Sequence, residues 1–114
     1  MKRFLEDKRM SQLILHNNGF FETAGQVSLK EGIKAQTQES LEKIDELLKL
    51  LGATKDNLSR IQIWLNDIND FEAMNEVYEL WLKDSFKPVR ACVGATLVKG
   101  YLVEIQAFGL LNLN

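Results

Sequence analysis

The chain has 114 residues, 46% of them hydrophobic and 26% charged, and 14 Lys and Arg against 16 Asp and Glu give a formal net charge of -2. This length suits one domain with one core and argues against a separate cofactor-binding module. The slightly acidic balance argues against the strongly basic surface typical of nucleic-acid-binding proteins. We therefore expect a single domain over 1–114 and no nucleic-acid partner.

The chain contains one cysteine, Cys92, and one histidine, His16. One cysteine forms neither an intramolecular disulfide nor a Cys-rich zinc site, and one histidine excludes most His-based metal sites, so we expect no metal. The sequence has no glycine-rich phosphate loop, and we expect no cofactor. Residues 1–10 mix both charge signs and lack the apolar run of a signal peptide. No apolar stretch approaches the roughly 18 residues that span a bilayer. We predict a cytoplasmic protein without a membrane partner.

The first predicted elements are a β-hairpin and a helix. Residues 13–15 and 20–24 are β-prone runs separated by a His-Asn-Asn-Gly turn, which predicts the hairpin. Leucine and isoleucine then recur at helical spacing up to Gly52, which is typical of a helix C-cap. This pattern predicts an amphipathic helix over about 36–51.

A strand and a second helix follow. Ile61, Ile63 and Leu65 alternate with polar or amphipathic residues, which predicts a half-buried strand. Asn69 and Glu72 fit the N-cap and N3 positions of a capping box, and an apolar stripe continues from there to about residue 83. The stripe predicts the second helix.

Two β-prone stretches, 89–97 and 101–109, end the chain and are joined by a glycine-containing turn, which predicts a C-terminal hairpin. The order β-β-α-β-α-β-β predicts an α+β two-layer sandwich, a mixed β-sheet with two helices on one face. The other face is then open, and the residues predicted there are more apolar than solvent requires: Ala24, Val27, Trp64, Phe108 and Leu110. We predict that subunits of an oligomer bury it.

The last two strands carry two charged residues, Arg90 and Glu104, among core positions. Alternation puts Arg90 on the same face as Cys92. If these strands form a hairpin centred on Lys99, Arg90 and Glu104 are four residues, or about 13 Å, out of register, which argues against a direct pair within one chain. Two interpretations of Arg90 stay open: a structural salt bridge across an interface, and an arginine that binds a carboxylate.

Several segments together resemble the reactive intermediate deaminase family, the RidA or YjgF type. They are Thr-Ala-Gly-Gln-Val at 23–27, Ala-Gln-Thr at 35–37, Asp-Phe-Glu-Ala-Met-Asn-Glu-Val-Tyr at 70–78, Lys-Pro-Val-Arg-Ala-Cys-Val at 87–93 and Val-Glu-Ile-Gln-Ala at 103–107. The resemblance covers the chain after 1–10, which we interpret as an N-terminal extension. It implies a chorismate-mutase-like fold and a homotrimer with ligand pockets between subunits.

The resemblance also implies a reaction, the hydrolysis of 2-imino acids and their enamine tautomers to 2-keto acids and ammonia. In that scheme Arg90 binds the carboxylate of the 2-imino or 2-keto acid, and Glu104 positions or activates the attacking water. It further implies that Gly25 offers backbone contacts, that Asn75 supports the site and that Cys92 lies near the ligand.

The sequence also departs from many members of that family. Ser11 takes the place of a tyrosine that reaches the substrate, and residues 10–18 are more similar to the YoaB-like branch. Two functions therefore remain in view. A deaminase of 2-imino acids requires both Arg90 and Glu104, whereas a non-catalytic trimeric protein that binds small carboxylates requires only Arg90.

Overall fold

The computed structural model describes residues 1–112, which form two layers. The elements, in chain order, are β1 (Lys2–Phe4), β2 (Leu13–Leu15), β3 (Phe20–Thr23), α1 (Ile33–Leu51), β4 (Leu58–Leu65), α2 (Phe71–Trp81), β5 (Val89–Gly94) and β6 (Val103–Leu110). Short 3₁₀ turns at Lys55–Asn57 and Ile68–Asp70 precede β4 and α2. The predicted α+β sandwich, with two helices packed on a mixed sheet, is confirmed.

The sheet has the strand order β1-β2-β3-β6-β4-β5, in which only the β4–β5 pair is parallel. The predicted hairpin of β2 and β3 is present, with Leu13 opposite Thr23. The predicted topology lacked β1, because residues 1–10 were interpreted as an N-terminal extension of the domain. They pair instead with β2, Lys2 opposite Leu15, so the start of the chain forms an edge of the sheet.

The predicted C-terminal hairpin is wrong. β4 lies between β5 and β6, pairing parallel with the first and antiparallel with the second. The segment between β5 and β6 passes the end of β4, where Asn66 holds it: Asn66 Oδ1 accepts from Leu97 N at 2.9 Å, and Asn66 N donates to Leu102 O at 3.0 Å. Because α2 connects β4 to β5, the two strands run parallel as in a β-α-β crossover.

α1 begins three residues before the predicted start and ends, as predicted, at Gly52, which has a left-handed φ of 70°. Its first turn is held by the buried side chain of Gln36. Gln36 Nε2 donates to Lys30 O at 3.0 Å and to Gly100 O at 2.9 Å, while Oε1 accepts from Leu102 N at 2.8 Å. This amide therefore ties α1 to the segments before it and before β6.

The predicted capping box of α2 is wrong, although the helix itself is confirmed. Asn69 lies in the preceding 3₁₀ turn, where its backbone N–H donates to the side chain of Asp67 at 2.9 Å. α2 then begins at Phe71 and ends at Trp81, two residues before the predicted end. Because the side chain of Asp67 accepts from the N–H of Asn69, the backbone first forms a 3₁₀ turn, and the α-helix begins after it.

The core lies between the helices and one face of the sheet, where the side chains of Ile61, Ile63, Leu65, Val103, Ile105 and Ala107 are fully buried. The opposite, open face includes half-buried Trp64 and Phe108, and the ring of Phe108 stacks at 6.4 Å on that of Phe20. Val27, predicted on this face, instead lines a depression with Glu39 and Lys43 of α1. Among residues 1–112, neither helix combines the length and apolarity needed to cross a membrane.

Candidate functional site

Arg90 extends from β5 toward the helix layer. Its partner on β4 is the fully buried Ile61, and side chains paired across neighbouring strands point to the same face. On that side Arg90 Nη1 donates to Asn75 Oδ1 at 2.6 Å. The guanidinium carbon also lies 5.6 Å from the ring centroid of Phe71 and 4.9 Å from that of Tyr78. We call these residues, together with Cys92, the arginine cluster.

Cys92 belongs to this cluster because it follows Arg90 by two residues on β5 and pairs with Ile63 on the core side of β4. Cys92 is half-buried, and its thiol interacts electrostatically with the charge of Arg90. Burial raises the pKa of this thiol, and the positive charge of Arg90 opposes that effect without overcoming it. A nucleophilic cysteine needs a lowered pKa, so the setting suits a residue that lines a pocket.

Glu104 points to the opposite face of the sheet. It pairs with Trp64 on β4, and its neighbours Val103 and Ile105 are fully buried on the core side. The carboxylate packs so closely on Gly25 that a Cβ atom at position 25 would overlap Glu104 Oε2. Within residues 1–112 this carboxylate has neither an ion-pair nor a hydrogen-bond partner. We call Glu104 and Gly25 the glutamate cluster.

The two clusters are separated both along and through the sheet. Arg90 is level with Ile61 of β4, whereas Glu104 is level with Trp64. The two levels are three residues apart along β4, which is about 10 Å, and β5 and β6 lie two strand spacings apart, which is also about 10 Å. Because successive side chains of a strand point to opposite faces, an offset of three residues puts Arg90 and Glu104 on opposite faces of the sheet. The four-residue offset predicted from a hairpin is therefore wrong, because the two strands are aligned through β4 instead. This separation excludes a salt bridge between Arg90 and Glu104 within one chain.

The segment that carries Ser11 lies beside the glutamate cluster. Gln12 O accepts from Ala24 N at 2.9 Å, and Gln12 Oε1 accepts from Gln26 Nε2 at 3.0 Å. These bonds join the residues on either side of Gly25 to the neighbour of Ser11. Ser11 therefore directly precedes a residue that is hydrogen-bonded to both neighbours of Gly25.

The sequence prediction assigned the aromatic rings of the arginine cluster only to the apolar stripe of α2. Phe71, Asn75 and Tyr78 are spaced i, i+4 and i+7, which places them on one face of the helix. The sequence did contain one indication of the cluster: the polar Asn75 lies between two aromatic residues on a helix face that otherwise packs on the core. In the part of the chain that the structure describes, no group of three or more His, Cys, Asp or Glu side chains is placed to hold a metal ion.

Chemically, the arginine cluster offers a fixed positive group to an anion, and the glutamate cluster offers a carboxylate with unused acceptor capacity to a proton donor such as water. Both groups suit the binding of a small polar molecule that carries a carboxylate. Within one chain the two clusters lie on opposite faces of the sheet.

Comparisons with known proteins agree on one family. The family described as endoribonuclease L-PSP matches residues 2–110. The RutC family protein YoaB of Escherichia coli is 35% identical over 101 residues, covering 88% of this chain and 89% of that protein. A crystal structure of NMB1025, a YjgF family member from Neisseria meningitidis, is 30% identical with a TM-score of 0.91, covering 97% of this chain and 94% of that one. TdcF of E. coli with bound serine, 22% identical with a TM-score of 0.86 and coverage of 94% and 91%, shares the fold.

Proposed function

The chain belongs to the RidA/YjgF family, and from this premise we propose that it is a hydrolytic deaminase of reactive 2-imino and 2-enamino acids. The products are 2-keto acids and ammonia. The reaction takes place in pockets between the subunits of a homotrimer, needs no cofactor and belongs to the cytoplasm, where the single Cys92 stays reduced.

The observation that carries this proposal is the placement of Arg90 and Glu104 on opposite faces of one sheet. In a 2-imino acid the carboxylate is bonded directly to the imine carbon. A clamp for the carboxylate and a base for the attacking water must therefore lie within a few ångströms of each other. Two chains satisfy this condition when the arginine cluster of one subunit meets the glutamate cluster of the next.

Arg90 binds the carboxylate. A guanidinium has five N–H donors, and Asn75 accepts from Nη1 at 2.6 Å, which leaves further donors for a two-bond contact with the substrate. The contact orients the imine carbon as well as holding the molecule. Cys92 lines the same side of the pocket.

Glu104 acts as the general base. Its carboxylate takes a proton from water while the oxygen adds to the carbon of the protonated imine, giving a neutral carbinolamine. Glu104 then passes this proton to the nitrogen and takes the proton of the hydroxyl group as the C–N bond breaks, so that the C=O bond of the 2-keto acid forms and ammonia leaves. Gly25 leaves room for the carboxylate and offers its backbone to the ligand.

The test is the decay of freshly generated 2-iminobutanoate, made with an amino acid oxidase and trapped with semicarbazide. The wild-type protein should lower the amount of trapped product, and Arg90→Ala should not. Glu104→Gln should lose turnover while still binding 2-oxobutanoate.

A second function, a trimeric protein that only binds small carboxylates, is favoured by the position of Arg90 alone. It predicts that 2-oxobutanoate binds through Arg90 while imine decay stays unchanged in the presence of wild-type protein. Equal loss of turnover and binding in Glu104→Gln would contradict the division of roles between the two clusters.

A further inference from the structure

Three residues on one face of α2 contact the guanidinium of Arg90. Phe71, Asn75 and Tyr78 lie at i, i+4 and i+7, so Asn75 lies between the two aromatic residues along the helix. The ring of Tyr78 is the nearer of the two, with 4.9 Å between its centroid and the guanidinium carbon against 5.6 Å for Phe71. Both distances are within the range of cation–π attraction.

Asn75 and the two aromatic rings restrict different motions of the Arg90 side chain. Asn75 accepts from a single nitrogen, Nη1, and one hydrogen bond still allows the guanidinium plane to turn about it. Electron-rich rings attract the flat face of the guanidinium and restrict that turning. A carboxylate that binds through two donors needs a fixed plane.

Tyr78 is itself held in place. It is buried, and its ring lies 6.0 Å from that of Trp81. Trp81 Nε1 donates to both carboxylate oxygens of Asp45 on α1, at 3.0 and 3.2 Å, and Lys55 Nζ lies 4.9 Å from the ring centroid of Trp81. The ring of Tyr78 therefore rests on a residue that is anchored to the other helix.

We propose that Tyr78, with Phe71, is a positioning residue that fixes the plane of the Arg90 guanidinium for two-bond binding of the substrate carboxylate. The aromatic ring of Tyr78 performs this role, and its hydroxyl does not. The proposal rests on the function proposed above, because it assigns Arg90 to the carboxylate.

Three variants on α2 test the proposal. Tyr78→Phe keeps the ring, and Tyr78→Leu replaces it with an apolar side chain. Met74→Ala removes a fully buried side chain of the same helix but keeps both rings and the hydrogen bond between Asn75 and Arg90, so it controls for lost packing. Each is assayed for KM and kcat with 2-iminobutanoate, for binding of 2-oxobutanoate, and by NMR of the Arg90 Nε–Hε group.

We expect Tyr78→Leu to raise KM and the Kd of 2-oxobutanoate about two- to thirtyfold, the range of a cation–π contact, with kcat changed much less. Its Arg90 Nε–Hε signal should lose its ring-current shift and become mobile. Tyr78→Phe should restore most of what Tyr78→Leu loses: its KM and Kd should rise much less than those of Tyr78→Leu, and its Arg90 signal should keep the ring-current shift. Met74→Ala should lower the melting temperature without raising KM.

A KM in Tyr78→Leu no higher than in Met74→Ala, or an Arg90 signal that is mobile in the wild type, would overturn the proposal. Absence of imine turnover in the wild type would instead contradict the proposed function. In that case the Arg90 signal and the Kd of 2-oxobutanoate still decide whether the ring positions the arginine.

Discussion

At the scale of single residues, the contact between Gly25 and Glu104 links one backbone position to the proposed base. A Cβ atom at position 25 would overlap the end of the Glu104 side chain, which can rotate away without moving a strand. We expect Gly25→Ala to fold normally and to lose about a hundredfold in kcat, the lower range for a displaced general base. The semicarbazide assay and a thermal melt measure the two effects.

Gly94→Ala is the matched control, because its Cβ atom would make an ordinary contact with Ile68 at 3.7 Å. It should keep kcat near the wild-type value. A Gly25→Ala protein with unchanged kcat would show that the carboxylate does not act from its place beside Gly25.

Asp45 on α1 gives stability a defined dependence on pH. Burial raises the pKa of this carboxyl above its usual 3.8, although hydrogen bonding from Trp81 and the charge of Lys55 lower it. Because the folded state favours the protonated form, the contribution of Asp45 to stability is complete below pH 3.8 and is lost as pH rises through the raised value. Asp45→Asn keeps an acceptor for Trp81 but carries no charge.

The stability of Asp45→Asn relative to the wild type should therefore increase as pH rises over that window. Urea unfolding of both proteins at a series of pH values measures the difference. A difference that is constant with pH, or one that shrinks as pH rises, would contradict this account of the burial.

At the scale of elements, local patterns predicted the helices and strands well and their pairing poorly. The leucine spacing before Gly52 and the Asn-Gly turn between β2 and β3 depend on neighbours in the sequence, and both elements are present. The turn at 98–100 was also a local signal, but the β4–α2–β5 crossover decides which strands pair. β1, with three residues, is too short for a periodic pattern.

The candidate site was predictable to a similar degree. Family resemblance named Arg90, Asn75 and Glu104, and strand alternation placed Arg90 and Glu104 each on one of the two faces of its strand. Whether Arg90 on β5 and Glu104 on β6 share a face depends on how each strand is aligned with β4. These strand pairs join residues that are distant in the sequence, so local patterns do not predict their alignment. The rings beside Arg90 were hidden because an aromatic residue on a helix stripe has the same pattern whether it contacts the core or a cation.

β6 provides a test of the sheet itself. Gly109 pairs with Phe21 of β3, and a Cβ atom at position 109 would overlap both the Phe21 ring and the backbone oxygen of Asn57. Backbone cannot rotate away as a side-chain end does. We expect Gly109→Ala to lower the free energy of unfolding by about 1–3 kcal/mol, as overpacking does, measured by urea titration. An unchanged midpoint would contradict the packing of β3 on β6.

At the scale of the whole molecule, the open face of the sheet is the proposed interface. It combines half-buried Trp64 and Phe108 with Leu110, which is 58% exposed. We expect light scattering to give three times 13.1 kDa, about 39 kDa. Trp64→Glu should reduce this mass and imine turnover together, because it places a charge on the apolar face. A wild-type mass near 13.1 kDa at micromolar concentration would contradict the shared pocket.

In the proposed reaction, a complete site combines Arg90 of one subunit with Glu104 of another. Co-expressing Arg90→Ala and Glu104→Gln chains, each inactive alone, tests it most directly. In a random mixture of equal amounts, about a quarter of the interfaces join an intact arginine to an intact glutamate, so about a quarter of the wild-type imine turnover should return. Activity no greater than that of the separate variants would contradict a site shared between subunits.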